Sequence, residues 1–337
     1  ISDPRFFHRR GYDPKQWWRF IPDVGDPQML FLANNLSRMK DTPLGTRIVE
    51  VHNGSSLFTG NAGGGESNLR RYIIENDLLE AIIAMPEKSF YNTGIGTFIW
   101  IVTNRKEARR RGKVQLIDAT QIKSPLRKNL GEKNCETTVD DRARIVELLT
   151  NFEETPESRI FPNEEFGYYD IKVDRPLRLR VHPDRDLTAG NLTSAQIATC
   201  RAALAAVPPT APLDNWDVFA THLGKMPKTL LLKLRTLITE VDPTCHPVAG
   251  ESDKSLRDTE QVPLRYPGGV DAFLRHEVLP YAPDAYVSEE ETKVGYELSF
   301  TKYFYQPTQL RSVSDITADL RALESETDGL LADILDF

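Results

Sequence analysis

The sequence lacks long apolar segments, which limits the classes of protein to which it can belong. Its longest apolar stretches, Leu78–Met85 and Thr97–Val102, are far shorter than the roughly 20 residues that a membrane-spanning helix needs. The first ten residues are polar, aromatic and basic, unlike a secretory signal peptide. We therefore expect a cytoplasmic protein that has no membrane partner.

Cysteine and histidine are too few and too scattered to indicate a disulfide framework or a metal centre. The cysteines are odd in number and far apart, at Cys135, Cys200 and Cys245. The 6 histidines show no ligand spacing. We therefore predict reduced cysteines and no metal site.

Positive charge is also in short supply, because the formal net charge is −7. This balance argues against a protein that coats nucleic acid indiscriminately. One turn between two predicted strands is nevertheless strongly basic, and its side chains are candidates for contacts with a DNA backbone. They are Arg109, Arg110, Arg111 and Lys113. The alternative is an ordinary solvated turn, and the sequence does not indicate from which end of a sheet it projects.

The apolar pattern of the first 120 or so residues predicts alternating helices and strands. Helical spacing appears at 28–39 and 66–76. Strand-like runs appear at Arg47–Val51, Leu79–Met85, Thr97–Thr103 and Val114–Asp118. This order predicts the second half of an open α/β sheet whose last strands form an antiparallel hairpin. Because such a half-sheet would expose a long bare edge, we expect its first half to precede this sequence.

Three regions are predicted along the chain. Residues 1–125 form the partial α/β domain, residues 126–311 form a mainly helical and irregular region, and residues 312–337 form an amphipathic helix. Ser312 and Asp315 suit a capping box at the start of that helix. Its apolar residues then follow a heptad pattern, at Ile316, Leu320, Leu323, Leu330 and Ile334. They form either a seam with a partner chain or the face that packs on the same domain.

The run Ala84–Val102 carries the most chemical information. It reads as a buried strand, a proline, two adjacent aromatic residues (Phe90 and Tyr91), a Thr-Gly turn and another strand. Loops held by rigid strands often carry binding residues. An exposed aromatic side chain here can stack on a planar ligand, including a base rotated out of a duplex. Alternatively, the two rings plug the end of the sheet.

This run resembles the segment between the sixth and seventh strands of type I restriction–modification methyltransferase subunits, where a Leu-Pro, Phe, Thr-Gly-Ile pattern recurs. Here the corresponding residues read Met-Pro-Glu-Lys-Ser-Phe-Tyr-Asn-Thr-Gly-Ile. The resemblance extends over nearly the whole chain and is weakest from Pro183 to Ser255. Other similar segments are Asp3–Phe6, Arg47–Gly60, Arg70–Leu79 and Gly295–Tyr305.

The resemblance implies a Rossmann-like, S-adenosylmethionine-dependent fold and methylation of the exocyclic amino group of adenine in DNA. Its implied partners are DNA and the specificity and restriction subunits of the same system. In the wider family of amino-group DNA methyltransferases an aromatic residue stacks on the extruded adenine; Phe90 matches that position best, and Tyr91 is its neighbour. Candidate pocket or loop residues are Asn53, Asn92, Thr93 and Gly94.

Two motifs of that family do not occur in this sequence: the Gly-rich donor loop after the first strand and the catalytic Asn-Pro-Pro-Phe or Asn-Pro-Pro-Tyr. The Gly63–Gly65 run does not replace the donor loop, because no strand leads directly into it. The resemblance therefore implies a carboxy-terminal portion without a catalytic residue of its own. S-adenosylmethionine would serve the full-length protein, with no tight binding to this portion alone. The alternative is a non-catalytic DNA-binding or assembly module derived from a methyltransferase.

Overall fold

The computed structural model describes residues 21–22, 25–188, 190–288, 291–305 and 311–335, with side chains to residue 327. Two compact units are present, Ile1–Leu298 and Ser299–Phe337. The segment Asp3–Phe6, which resembles a family loop, lies outside the described residues.

The first unit begins with the elements that the apolar pattern predicts. In chain order these are α1 (Gln28–Ser37), β1 (Arg47–Asn53), α3 (Gly65–Glu75), β2 (Leu79–Ala84), β3 (Thr97–Thr103) and β4 (Lys113–Asp118), with one short helix that was not predicted, α2 (Ser55–Phe58), after β1. Strand β2 is buried along its whole length, as expected for a central strand covered on both faces. The predicted helices and strands of this region are confirmed, with small shifts at their ends.

Four further elements complete this part of the fold: β5 (Ser124–Leu130), β6 (Lys133–Glu136), α4 (Val139–Asn151) and β7 (Ser158–Pro162). A reciprocal capping box between Thr138 and Asp141 begins α4. The helix then buries Ile145 and Leu148 against apolar side chains of the sheet. Strands β5 and β6 form a separate two-stranded hairpin.

The main sheet has five strands in the order β1-β3-β2-β4-β7. Strands β2 and β4 are parallel, and the other neighbouring pairs are antiparallel. The predicted hairpin of β3 with β4 does not form, because β2 lies between them. The antiparallel strand is instead inserted between β1 and β2, where both of its edges are hydrogen-bonded.

The region predicted to be mainly helical and irregular differs most from the structure, because it contains many short strands. Its elements are β8 (Gly167–Asp174), β9 (Pro176–Val181), α5 (Ser194–Ala205), α6 (Trp216–Thr221), α7 (Lys228–Ile238), β10 (Thr239–Val241), β11 (Pro247–Ser252), β12 (Asp258–Pro263), α8 (Gly269–Phe273), β13 (Tyr286–Val287) and β14 (Lys293–Tyr296). Strand β9 lies between β10 and β11, while β8 pairs with β12, β13 and β14.

A buried arginine joins this later region to the main sheet. The Arg70 side chain on α3 is fully buried and donates hydrogen bonds to three backbone carbonyls. Its Nε reaches Tyr296 O at 2.7 Å, and its two Nη atoms reach Ser56 O at 3.0 Å and Thr59 O at 2.7 Å. Arg70 therefore links the end of β14 and the residues of and after α2 to helix α3.

The second unit contains α9 (Phe300–Phe304) and α10 (Val313–Leu335). The predicted cap of α10 is confirmed, because Ser312 Oγ accepts from Asp315 N at 3.1 Å. Within the described parts of the chain, no helix is long and apolar enough to cross a membrane. The same residues contain no cluster of three or more His, Cys, Asp or Glu side chains suited to a metal ion.

Candidate functional site

The candidate site lies at one edge of the main sheet, which we call the carboxyl edge. Strand register defines it: Asn53 pairs with Thr97, and Ala84 pairs with both Phe98 and Asp118. The loops that follow β1, β2 and β4 therefore all leave the sheet at this edge. Ligands of open α/β sheets bind most often outside the carboxyl ends of the strands.

The aromatic loop, residues 86–96, follows β2 at the carboxyl edge. Its two predicted stacking residues are both accessible, since Phe90 is 45% exposed and Tyr91 is 59% exposed. A backbone bridge joins Phe90 to Thr93, and Ser89 Oγ donates to Pro86 O at 2.7 Å. The loop is thus a hydrogen-bonded turn that presents aromatic side chains to solvent, and neither ring is buried in the sheet end.

The predicted loop residues also lie on this turn. Asn92 and Gly94 are exposed, whereas Thr93 is half-buried. Thr93 Oγ1 accepts from Ile95 N at 3.2 Å, which closes the turn locally. These three residues are therefore brought together with Phe90 and Tyr91.

The β5–β6 hairpin packs along the aromatic loop, which the sequence did not indicate. Glu132 N donates to Tyr91 O at 2.9 Å, and Asn134 N donates to Lys88 O at 3.2 Å. Backbone hydrogen bonds of this kind hold the two segments in register. The sequence does not indicate this contact, because it is made by backbone atoms and not by recognisable side chains.

The hairpin also distinguishes the two aromatic residues. Lys133 Nζ lies 5.3 Å from the centroid of the Tyr91 ring, in cation–π geometry. One face of Tyr91 is thereby covered. Among the described residues, Phe90 has no such ring or cation partner, so its ring is the more available of the two for stacking on a ligand.

Asn53 lies at the same edge within a polar cluster that anchors the turn after β1. Its Oδ1 accepts from Gln28 Nε2 at 2.8 Å and from Ser55 N at 2.9 Å. Ser55 Oγ donates to Asp26 Oδ2 at 2.5 Å, and this hydrogen bond is the main cause that lowers the pKa of Asp26. Sequence reasoning missed Asp26, Gln28 and Ser55, because the contacts join residues far apart in the chain.

The basic turn is divided between internal and exposed side chains. Arg109 donates to Thr150 O at 2.6 Å and Asn151 O at 2.9 Å, at the carboxyl end of α4. Arg110 is buried, bonds Leu149 O and lies 4.3 Å from the centroid of the Phe152 ring. These arginines satisfy carbonyls that a helix end leaves without donors. Arg109 itself is still exposed, as are its neighbours on the turn, Arg111 and Lys113.

The basic turn also lies at the end of the sheet opposite the aromatic loop. Strand β3 enters the turn from Thr103, which pairs with Arg47 at the start of β1. Strand β4 leaves it at Lys113 and runs six residues to the carboxyl edge, about 20 Å away at the usual rise of a strand. The two predicted sets of DNA contacts are therefore not on one edge.

The glycine-rich segment before α3 does not fit S-adenosylmethionine. A Cβ placed on Gly65 would lie 1.9 Å from Ile21 O, and one on Gly64 would lie 2.9 Å from Asn61 O. The backbone of the chain thus occupies the space beside these glycines. They allow close backbone packing at a helix start, and they leave no open cradle for the donor.

The predicted seam of α10 is exposed where its side chains are described. Ile316, Leu320 and Leu323 are 44%, 62% and 60% exposed. The side chains of Leu330 and Ile334 lie outside the described residues, although both positions belong to the helix.

The known proteins to which this chain is similar are described as DNA methylases. Residues 11–165 match the family model described as N-6 DNA Methylase. The chain is 30% identical over 176 residues to the type I restriction enzyme MjaVII methylase subunit of Methanocaldococcus jannaschii, covering 50% of this chain and 26% of that protein. It is 29% identical over 149 residues to the HindI methylase subunit of Haemophilus influenzae, covering 44% and 31%.

A solved structure of similar description also matches. It is the methyltransferase subunit of a type I restriction–modification system from Streptococcus thermophilus, with 20% identity and a TM-score of 0.39, covering 49% of this chain and 32% of that one. The chain thus spans only about a quarter to a third of the length of these relatives.

Proposed function

We propose that this chain, whose residues 11–165 match the N-6 DNA methylase family model, is a carboxy-terminal portion of a type I modification subunit. The full-length protein methylates the exocyclic amino group of adenine in DNA and acts in the cytoplasm, where that DNA lies. The observation that carries this proposal is the aromatic loop, which holds Phe90 exposed at the carboxyl edge. The curated relatives support it independently.

The role of this portion in the reaction is to hold the target base. An amino group inside a duplex is not accessible to a methylating enzyme, so the nucleotide has to be extruded. Stacking of a base on an aromatic side chain contributes about 1–3 kcal/mol. In this proposal the Phe90 ring receives the adenine, while Asn92, Thr93 and Gly94 border it.

The methyl group itself comes from S-adenosylmethionine bound to the full-length protein. The chain contains neither the donor loop nor the catalytic motif, and its own backbone occupies the space beside Gly64 and Gly65. We propose that this portion binds the donor weakly or not at all and has no activity alone. Strand β1 supports the accompanying proposal of a half-sheet, because among the described residues it is an edge strand that pairs only with β3.

Mixing this chain with the donor-bearing amino-terminal segment of a related methylase subunit and its specificity subunit is expected to restore methylation. Tritiated S-adenosylmethionine would report transfer to duplex DNA, and nucleoside mass spectrometry would identify the product as N6-methyladenine. The matched control is this chain alone, for which we expect no transfer above background. Transfer by the chain alone would refute its proposed inactivity, and failure of every mixture would favour the assembly-module alternative.

The partners follow from the same proposal: DNA and the specificity and restriction subunits. We assign the contact with the specificity subunit to the exposed seam of α10, since apolar heptad residues on a helix favour pairing with another helix.

Replacing Ile316 and Leu320 by aspartate is expected to weaken binding to the specificity subunit roughly a hundredfold or more, because two exposed apolar anchors become charged. Isothermal titration calorimetry with that subunit measures the change. The control replaces Thr317 and Arg321 of the same helix by aspartate. Equal affinities for the two variants would show that the seam is not the contact.

A further inference from the structure

The β5–β6 hairpin carries positive charge that no described acidic residue neutralises. Between residues 123 and 136 there are four cations and two acidic residues, in a chain whose net charge is −7. The cations are Lys123, Arg127, Lys128 and Lys133. Among the described residues, none of them has a carboxylate within salt-bridge distance, and all but Lys133 are exposed.

Cations at the opposite end of the sheet have a different environment. Arg105 pairs with Asp41 at 2.9 Å, Lys106 pairs with Asp77 at 2.6 Å, and Arg109 is occupied by the end of α4. A cation that is already paired has less to gain from a further anion. Arg111 and Lys113 are exposed there and have no carboxylate partner among the described residues, but they lie at the edge of the sheet away from the aromatic loop. The hairpin is therefore the better placed of the two regions to bind a DNA strand whose base lies at that loop.

The hairpin is also fixed beside the candidate base-stacking residue. Gly131 has a φ of +63°, and a Cβ at that position would lie 2.6 Å from Tyr91 O. Glycine thus permits the hairpin turn to approach the backbone of the aromatic loop closely. From the same turn, Lys133 covers one face of Tyr91. The positively charged hairpin therefore lies directly beside the aromatic loop.

We propose that the β5–β6 hairpin binds the DNA phosphates that flank the extruded adenine, through Arg127 and Lys128. This inference rests on the proposed function and adds to it the element that contacts the backbone. Extrusion rotates a nucleotide about its flanking phosphodiesters, so the phosphates on either side lie near the loop that receives the base. Unpaired arginine and lysine side chains are the usual partners of such phosphates.

Duplex DNA accounts for both features of this surface, whereas an acidic protein accounts only for the charge. The aromatic loop beside the hairpin presents a flat ring on which a base can stack. An acidic peptide would not need such a ring. The hairpin residues 127–132 are exposed throughout, as a backbone-tracking element requires. The geometry favours nucleic acid.

The test measures duplex binding of the chain by fluorescence anisotropy across a series of salt concentrations. The hairpin variant carries Arg127→Gln and Lys128→Gln. We expect it to bind roughly ten- to a hundredfold more weakly at low salt, and its log–log salt slope to fall by about 2, because each phosphate contact contributes about 0.9 to the slope. Unchanged melting temperature would confirm that these surface variants fold.

Two further variants make the result specific. The first removes the same charge elsewhere, through Lys225→Gln and Lys228→Gln, both exposed positions. The second carries Arg111→Gln and Lys113→Gln at the opposite end of the sheet. If the hairpin variant and the first control have the same salt slope of duplex binding, the inference is overturned. The proposed function is not affected by that result. If the unmodified chain binds no duplex even at low salt, the inference and its DNA-binding premise fail together.

Discussion

Replacing Arg70 by methionine is expected to lower the free energy of unfolding by about 3–5 kcal/mol. The substitution keeps much of the side-chain volume but removes the donors for three carbonyls, those of Tyr296, Ser56 and Thr59. Burial lowers the pKa of the Arg70 guanidinium to about 10, so the group remains charged at neutral pH. Urea unfolding followed by tryptophan fluorescence measures the loss.

The neighbouring residue supplies the matched control. Arg71 lies on the same helix but is only half-buried, and it pairs with Glu75 at 2.9 Å. Replacing Arg71 by methionine removes a partly exposed helix pair worth about 0.3–0.5 kcal/mol. An Arg70→Lys variant should fall between the two, since an ammonium group does not reach three carbonyls in a fork. Similar losses for the two methionine variants would argue against a structural role for Arg70.

Replacing Phe90 by alanine is expected to reduce the kcat/KM of methyl transfer about 10- to 100-fold in the reconstituted methylase. The reason is the loss of about 1–3 kcal/mol of stacking between the ring and the extruded adenine. The rate is measured under limiting DNA concentration with labelled S-adenosylmethionine. Phe90→Tyr should retain most of the activity, because it keeps a stacking surface.

Tyr91→Ala is the companion variant, because it removes the adjacent ring while leaving Phe90 in place. Its expected effect is smaller, since Lys133 covers one face of Tyr91. Fluorescence of 2-aminopurine at the target position reports base extrusion separately from the chemical step. A larger loss for Tyr91→Ala than for Phe90→Ala would assign the base to Tyr91.

The main sheet was largely predictable because its strands carry strong local signals. Strand β3 combines β-branched and aromatic residues over Thr97–Thr103, and its bounds were predicted as observed. The pairing was less predictable, because adjacent strands in sequence were assumed to be adjacent in space. The structure inserts β3 between β1 and β2, an arrangement set by long-range packing that local periodicity does not report.

Short strands of the later region escaped prediction for a different reason. Strands β11 and β12 contain proline and charged residues and lack a clear apolar alternation, whereas β9 alternates leucine and valine with arginine but begins with proline. Their stability depends on distant partners. Arg257, for example, pairs with Asp174 at 2.7 Å across more than 80 residues. A single sequence contains no local trace of such contacts.

The candidate site was predictable only in part. The aromatic loop could be inferred, because a proline, two aromatic residues and a Thr-Gly pair interrupt two clear strands. Its hairpin support could not, because the contacts join backbone atoms such as Glu132 N and Tyr91 O. Likewise, the sequence shows that Arg109 and Arg110 are basic, but burial against α4 determines which of them solvent can reach.

The contact between Arg70 and Tyr296 has a consequence for the order in which the chain matures during synthesis. The two residues are 226 positions apart. At ribosomal rates of 5–20 residues per second, about 10–45 s separate the appearance of the guanidinium from that of its carbonyl acceptor. During that interval the Arg70 guanidinium on α3 lacks one of its three carbonyl acceptors, Tyr296 O. The packing of α3 around Arg70 is therefore complete only after Tyr296 has been synthesised.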